Sequence, residues 1–163
     1  MREYWSNRQD RTLEDHSKEL EQLVADLPEE PLVYADSENA PAINQFAAWG
    51  WQVQAAIKNV LDSIDCIRSL LKVQPATGEP RLTISAACRR LVAEMRKYRW
   101  HKPRSGTASP VPRPLKREDD CVDALRYAVY SYEQQQGRAP GSLTYKAEPV
   151  RYGVRLERHT RRW

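Results

Sequence analysis

Helix-patterned and strand-patterned stretches alternate along this chain, in the order helix, strand, helix, strand, helix. That alternation restricts the fold more than any other feature. It argues an α/β sandwich whose inner strands are largely parallel and flanked by helices. Leu32-Val33-Tyr34-Ala35 follows Pro31, is too short for a helix and apolar enough for a buried strand, and ends at Asp36. Trp51, Val53, Ala55 and Ile57 alternate with polar residues, a second strand. A turn at Gly78 and Pro80 precedes Leu82 and Ile84, which share one face of a third. Strands are thus expected at 32–35, 51–57 and 81–85 of one sheet.

The helices carry their own punctuation. Thr12 with Asp15 is an N-cap with an acidic first turn, and Leu13, Leu20, Leu23, Val24 and Leu27 recur at helical spacing until Pro28, predicting a helix over 13–27. Pro41 opens and Gly50 closes a second, over 41–49. Apolar stripes predict further helices over 59–71, 86–98 and 119–136. Residues 101–117 form a proline-rich, basic loop.

The last helix holds the densest chemistry. In Glu118-Asp119-Asp120-Cys121-Val122-Asp123, the three aspartates share an arc at about 100° per residue, while Cys121, Val122 and Leu125 share another. Carboxylates this close repel one another, and a divalent cation relieves that. The same spacing equally suits acids that merely complement the helix dipole.

Composition sets the bounds. With 163 residues, 40% hydrophobic and 29% charged, the chain suffices for one domain with one core, and its apolar runs fall short of the roughly 20 residues needed to span a bilayer. Cys66, Cys88 and Cys121 show neither C-x-x-C nor paired-histidine spacing and read as reduced, mostly buried thiols. His16, His101 and His159 have no partner at ligand or triad spacing. Residues 1–40 carry eleven acids against four bases, and 137–163 seven bases against two acids. A polyanion contact is therefore expected toward the C-terminal part, although a solvated tail has the same composition.

The string EDDCVDALRYAVYS at 118–131, preceded by ACRRLVAEMRKYRW at 87–100 and a loop, resembles the C-terminal nuclease domain of the large terminase subunit of tailed bacteriophages. That family closes the domain with a segment of the form Asp-His-x-x-Asp-Ala-Leu-Arg-Tyr-Ala after a helix ending in an aromatic pair, here Tyr98 and Trp100. The stretch from Val33 to Leu71 is similar to its central part, in the right order, so the resemblance covers about residues 1–136, with 137–163 a basic tail.

The resemblance implies a ribonuclease-H-like sheet flanked by helices, and a metal-dependent DNA endonuclease module of a phage or prophage packaging terminase. It implies Asp36, Asp120 and Asp123 as catalytic, with Asp36, Asp119, Asp120 and Asp123 holding Mg²⁺ or Mn²⁺. Two such ions would activate water and stabilise the leaving oxygen in phosphodiester hydrolysis. Double-stranded DNA would be met by Lys58, Arg99, Lys102, Arg104, Lys116 and Arg117, and the other partners would be terminase or portal components. The expected setting is the bacterial cytoplasm, with no membrane partner.

The family's first catalytic strand, hydrophobic and ending in Asp, has no counterpart before Leu13, and no G-x-x-x-x-G-K-[ST] phosphate loop occurs. The expectation is an N-terminally incomplete nuclease domain lacking its first strands, with an exposed sheet edge and little or no activity alone. A non-catalytic prophage relic and a small basic DNA- or protein-binding α/β adaptor are the alternatives.

Overall fold

The computed structural model describes residues 3–6, 10–100 and 114–137. Its elements are α1 (Leu13–Val24), β1 (Val33–Ala35), α2 (Ala40–Ala48), β2 (Val53–Ala55), α3 (Val60–Leu71), α4 (Arg89–Lys97) and α5 (Asp120–Gln135). This is an α/β fold.

Among the described residues the sheet has two strands, β1 and β2, parallel and in the register Val33↔Val53, Tyr34↔Gln54, Ala35↔Ala55. Helix α2 makes the crossover between them, as a parallel pair requires. Asn39 starts α2, its side chain accepting from the Ala42 N–H, and Pro41 sits in the first turn. The chain leaves α2 through Gly50 at φ +95°, whose N–H returns to the Ala47 carbonyl. A side chain at that φ is strained, which is why glycine stands there.

Helix α1 begins as its sequence reads, with a reciprocal capping box between Thr12 and Asp15. It ends at Val24, short of the expected Leu27, which lies 53% exposed. Pro28 stops the helix from continuing, and the Leu27 N–H closes a turn onto the Val24 carbonyl at 2.9 Å. The buried residue of α1 is Ser17, whose Oγ accepts from the Trp51 indole at 2.8 Å.

The core lies elsewhere. Cys66, Ile67 and Leu70 of α3, Leu91 of α4, and Val122, Leu125, Val129 and Tyr130 of α5 close around Leu82, Ile84 and Cys88. Helix α5 packs on α3, α4 and β1, while α2 packs on β2 and α1 on α2. The expected third strand at 81–85 is not one. Leu82 and Ile84 are buried as their alternation predicts, at 2% and 7% exposure, but the segment is extended without a strand beside it. The Leu82 N–H goes instead to the Leu70 carbonyl at the end of α3, at 2.9 Å. Alternating burial reports two faces of an extended chain, and a helix end plus a core can supply them as well as a sheet.

Cys66, Cys88 and Cys121 are free thiols, the first two buried and the third half-buried. Among the described residues no helix is long and apolar enough to cross a membrane.

Candidate functional site

The strands run antiparallel to α5, which decides where their ends arrive. Tyr34 of β1 donates its hydroxyl to Gln135 Oε1 at 2.6 Å, and the Gln135 amide reaches Gln54 of β2. One turn earlier on α5, Ser131 Oγ accepts from the Ile57 N–H at 2.9 Å. One turn earlier again, the Tyr127 ring lies 5.7 Å from Lys58 Nζ. The carboxyl ends of the strands therefore converge on the amino-terminal half of α5, about one helical turn of 5.4 Å from Asp123. This is the end of a parallel sheet at which α/β proteins place ligand chemistry.

Two ion-pair groups occupy this end. In the first, Asp36 follows β1 directly, and its Oδ1 accepts from Lys58 Nζ at 2.7 Å and from the Glu38 N–H at 2.9 Å. Lys58 also reaches Glu38 Oε1 at 2.9 Å. The ammonium and then the backbone N–H hold the Asp36 carboxyl below the ordinary carboxylate range. The bonds to Asp36 and Glu38 in turn raise the Lys58 pKa.

In the second group, Lys116 Nζ stands between two carboxylates of α5, 3.2 Å from Asp119 and 2.5 Å from Asp123. Partial burial pulls the Lys116 pKa down, but the carboxylates of Asp123 and Asp119 outweigh it and the net shift is upward. The other Asp123 oxygen is 2.5 Å from Arg126 Nη2. Arg126 is buried at 2% exposure, donates from Nη1 to Ser63 Oγ of α3 at 2.7 Å, and carries its guanidinium 5.7 Å from the Tyr127 ring. Tyr127 thus has one cation from each group, Lys58 and Arg126, 5.7 Å from its ring.

The expected acids consequently meet cations before they meet one another. Asp119 and Asp123 share the Lys116 ammonium, Asp36 stands with Lys58, and Asp120 is exposed. Among the described residues no three His, Cys, Asp or Glu side chains group as a metal site. The donor set is of the right type, hard carboxylate oxygens for Mg²⁺ or Mn²⁺. As arranged, however, the described residues do not fit a two-metal centre. Where a cation is wanted, at Asp119 and Asp123, an ammonium already stands.

Of the expected DNA contacts, Arg99 and Arg117 are exposed; the nearby Lys97, which was not among them, pairs with Glu118 at 2.9 Å. Trp100 pairs its backbone with Pro114 and keeps 43% of its surface exposed. Lys58 and Lys116 spend their charge on the neighbouring acids. Lys102, Arg104 and the tail from Arg138 on lie outside the described residues. Sequence reasoning passed over Arg126, although it stands inside the Asp-Ala-Leu-Arg-Tyr string and three residues after Asp123, a spacing at which helical side chains meet. It also passed over Ser63 and Glu94, which carry no local signal.

No known protein family's sequence profile matches this chain, and no curated protein matches it. Solved structures do. The large terminase from a thermophilic bacteriophage, in complex with ATP-γ-S, superposes with a TM-score of 0.58 at 22% identity, covering 74% of this chain and 29% of that one. A further structure of the same terminase and one of its complex with ADP each give 0.59 with the same identity and coverage. This chain spans less than a third of the length of the terminase it resembles. At that identity the likeness is one of fold: over about three quarters of its length, the chain has the fold of part of a bacteriophage large terminase.

Proposed function

We propose that this chain is the ribonuclease-H-like nuclease portion of a DNA-packaging terminase, a module that engages double-stranded DNA. The observation that carries the reading is the fold shared with the thermophilic phage's large terminase over 74% of the chain. The convergence of strand ends on the acidic start of α5 supports it, because Asp36, Asp119, Asp120 and Asp123 are the positions where the resemblance sets metal-holding acids. Portal or other terminase components are the protein partners this reading implies, in a bacterial cytoplasm.

Metal-dependent endonuclease chemistry belongs to the same proposal. Mg²⁺ or Mn²⁺ would contribute an activated water and a stabilised leaving oxygen. Asp119 and Asp123 are the pair that such an ion would take over from Lys116. With no group of three acids among the described residues, no hydrolytic step is assigned to them. The chain by itself is proposed to bind DNA and to cut it weakly or not at all. That feature also favours the second reading, a DNA-binding module of the same fold without the reaction.

Anisotropy with a fluorescent DNA duplex, at 50 and 200 mM salt, tests the binding half. Lys and Arg contacts to phosphate release counterions, so affinity should fall steeply, about 10-fold or more for a few contacts. No binding even at 50 mM salt would sink the DNA-handling proposal. Supercoiled plasmid with Mn²⁺ tests the rest. Robust nicking that Asp123→Ala abolishes would show a complete catalytic site in this chain, and its absence would leave the binding module.

A further inference from the structure

Helix α5, which carries the candidate acids, is not capped by its own N-cap residue. Asp119 occupies the N-cap and makes no side-chain cap bond. An aspartate there ordinarily accepts from the N–H of the second or third helical residue, here Cys121 and Val122. Both donors are taken by another carboxylate. Glu94 Oε2, from α4, accepts from the Cys121 N–H at 2.7 Å and from the Val122 N–H at 3.2 Å. Glu94 is only 4% exposed, so its charge needs partners. It finds them in those amides, in the positive end of α5, and in Arg90, whose Nε lies 2.9 Å from Oε1.

We propose that Glu94 is a positioning residue that caps α5 from α4 and thereby relieves Asp119 of capping, leaving its carboxylate on the Lys116 side, where a cation is held. The inference rests on reading the first turn of α5 as the cation-holding part of the nuclease-type module, and it deepens that reading. A carboxylate shared between two groups, as that of Glu94 is between the α5 amides and Arg90, has its orientation set by both. Supplying the cap from α4 spares Asp119 that sharing. Asp119 Oδ2 lies buried, makes no cap bond to its own helix, and is 3.2 Å from Lys116 Nζ, as expected of an oxygen turned toward a cation.

A double-mutant cycle in urea unfolding, without metal or DNA, tests this. In the otherwise wild-type chain Asp119→Ala removes no cap and should change the unfolding constant little. In a Glu94→Ala background the Asp119 carboxylate is free to swing onto the Cys121 and Val122 amides. Asp119→Ala should then cost about fivefold in the unfolding constant, the effect of an ordinary N-cap. Additivity of the two substitutions would overturn the proposal, because a merely structural Glu94 lowers stability without making Asp119 matter. If Glu94→Ala does not fold, Glu94→Met, which fills similar space but offers the Cys121 and Val122 amides no acceptor oxygen, takes its place in the cycle with the same two outcomes. A Mn²⁺ titration of the wild-type chain is read separately. Its failure would count against the metal reading and leave the capping result standing, so the two failures are distinguishable.

Discussion

Helices α1, α2 and α3 are capped from within their own sequence, whereas α4 and α5 are capped by glutamates from elsewhere in the chain. Thr12, Asn39 and Asn59 accept from backbone N–H groups three residues on. Cys88 and Asp119, which begin α4 and α5, make no such bond. Glu3 instead accepts from the Arg90 and Leu91 N–H groups, as Glu94 does from Cys121 and Val122. In both cases the donors are the second and third helical residues, those an N-cap side chain would serve. Trp5 reinforces the first contact, with the Arg90 guanidinium 3.5 Å from its ring centroid.

The difference tracks burial for α1, α2, α4 and α5, whereas α3 is capped by its own Asn59 although Ile64, Cys66, Ile67 and Leu70 are buried. Helices α1 and α2 bury almost no side chain, and Trp49 remains 42% exposed. Such helices must be favoured by local bonds, since packing supplies little. Helices α4 and α5 enter the core, so their termini can be satisfied by whatever the core brings. The candidate site stands on the helix whose start depends on tertiary contact. Its geometry is therefore tied to the packing of α4 and α5, not only to the acids themselves.

Substitutions should separate the two regions, beginning with the largest effect. Arg126→Ala deletes a buried cation that serves both Asp123 and Ser63, and should cost about 3–5 kcal/mol in urea unfolding. A loss below about 1 kcal/mol would mean that the site is not locked to α3. Glu94→Ala removes the acceptor of two N–H groups, which Asp119 replaces in part, and leaves Arg90 without its carboxylate, with an expected loss of about 2 kcal/mol by the same measurement. Thr12→Ala removes a cap on a helix that buries little, and about 1 kcal/mol should follow. If Thr12→Ala matched Glu94→Ala, the contrast between local and distant capping would collapse.

The smallest effect concerns Asp36. Lys58 holds its folded-state pKa below the unfolded value, so the pair stabilises the protein above about pH 4 and loses that contribution as pH falls through the lowered pKa. The Asp36 side chain is 44% exposed, which limits the contribution to less than about 1 kcal/mol. The urea midpoints of wild type and Asp36→Asn should differ slightly at pH 7 and coincide at pH 2. A gap that persists at pH 2 would show that the substitution acts through something other than the ion pair.

The parts of the site that could be read in advance are those with a local signature. Asp36 ends a short apolar run and Lys58 follows an alternating one, so both were visible as strand-end residues. Asp119, Asp120 and Asp123 were visible as an acidic first turn. Their cation partners were not. Arg126 lay in plain view within the motif string, but its role comes from Ser63, 63 residues away. Lys116 reads as one base among many in a basic loop until its ammonium is seen between two carboxylates. Leu82 and Ile84 teach the same lesson in the fold, where their pattern reported burial correctly and the nature of the neighbour wrongly.

Periodicity and end signals along the chain were enough for the α/β order, for the boundaries of α1 to α5 to within three residues, and for which residues carry charge near the strand ends. Those features rest on bonds between residues two to four apart, whose geometry is set by a single turn of backbone. The trans caps join residues 27, 28, 87 and 88 positions apart. Whether such groups meet depends on the angle and depth at which α4 and α5 pack in the core. No local spacing encodes that angle, so the partners of the acids emerged only when the helices were docked.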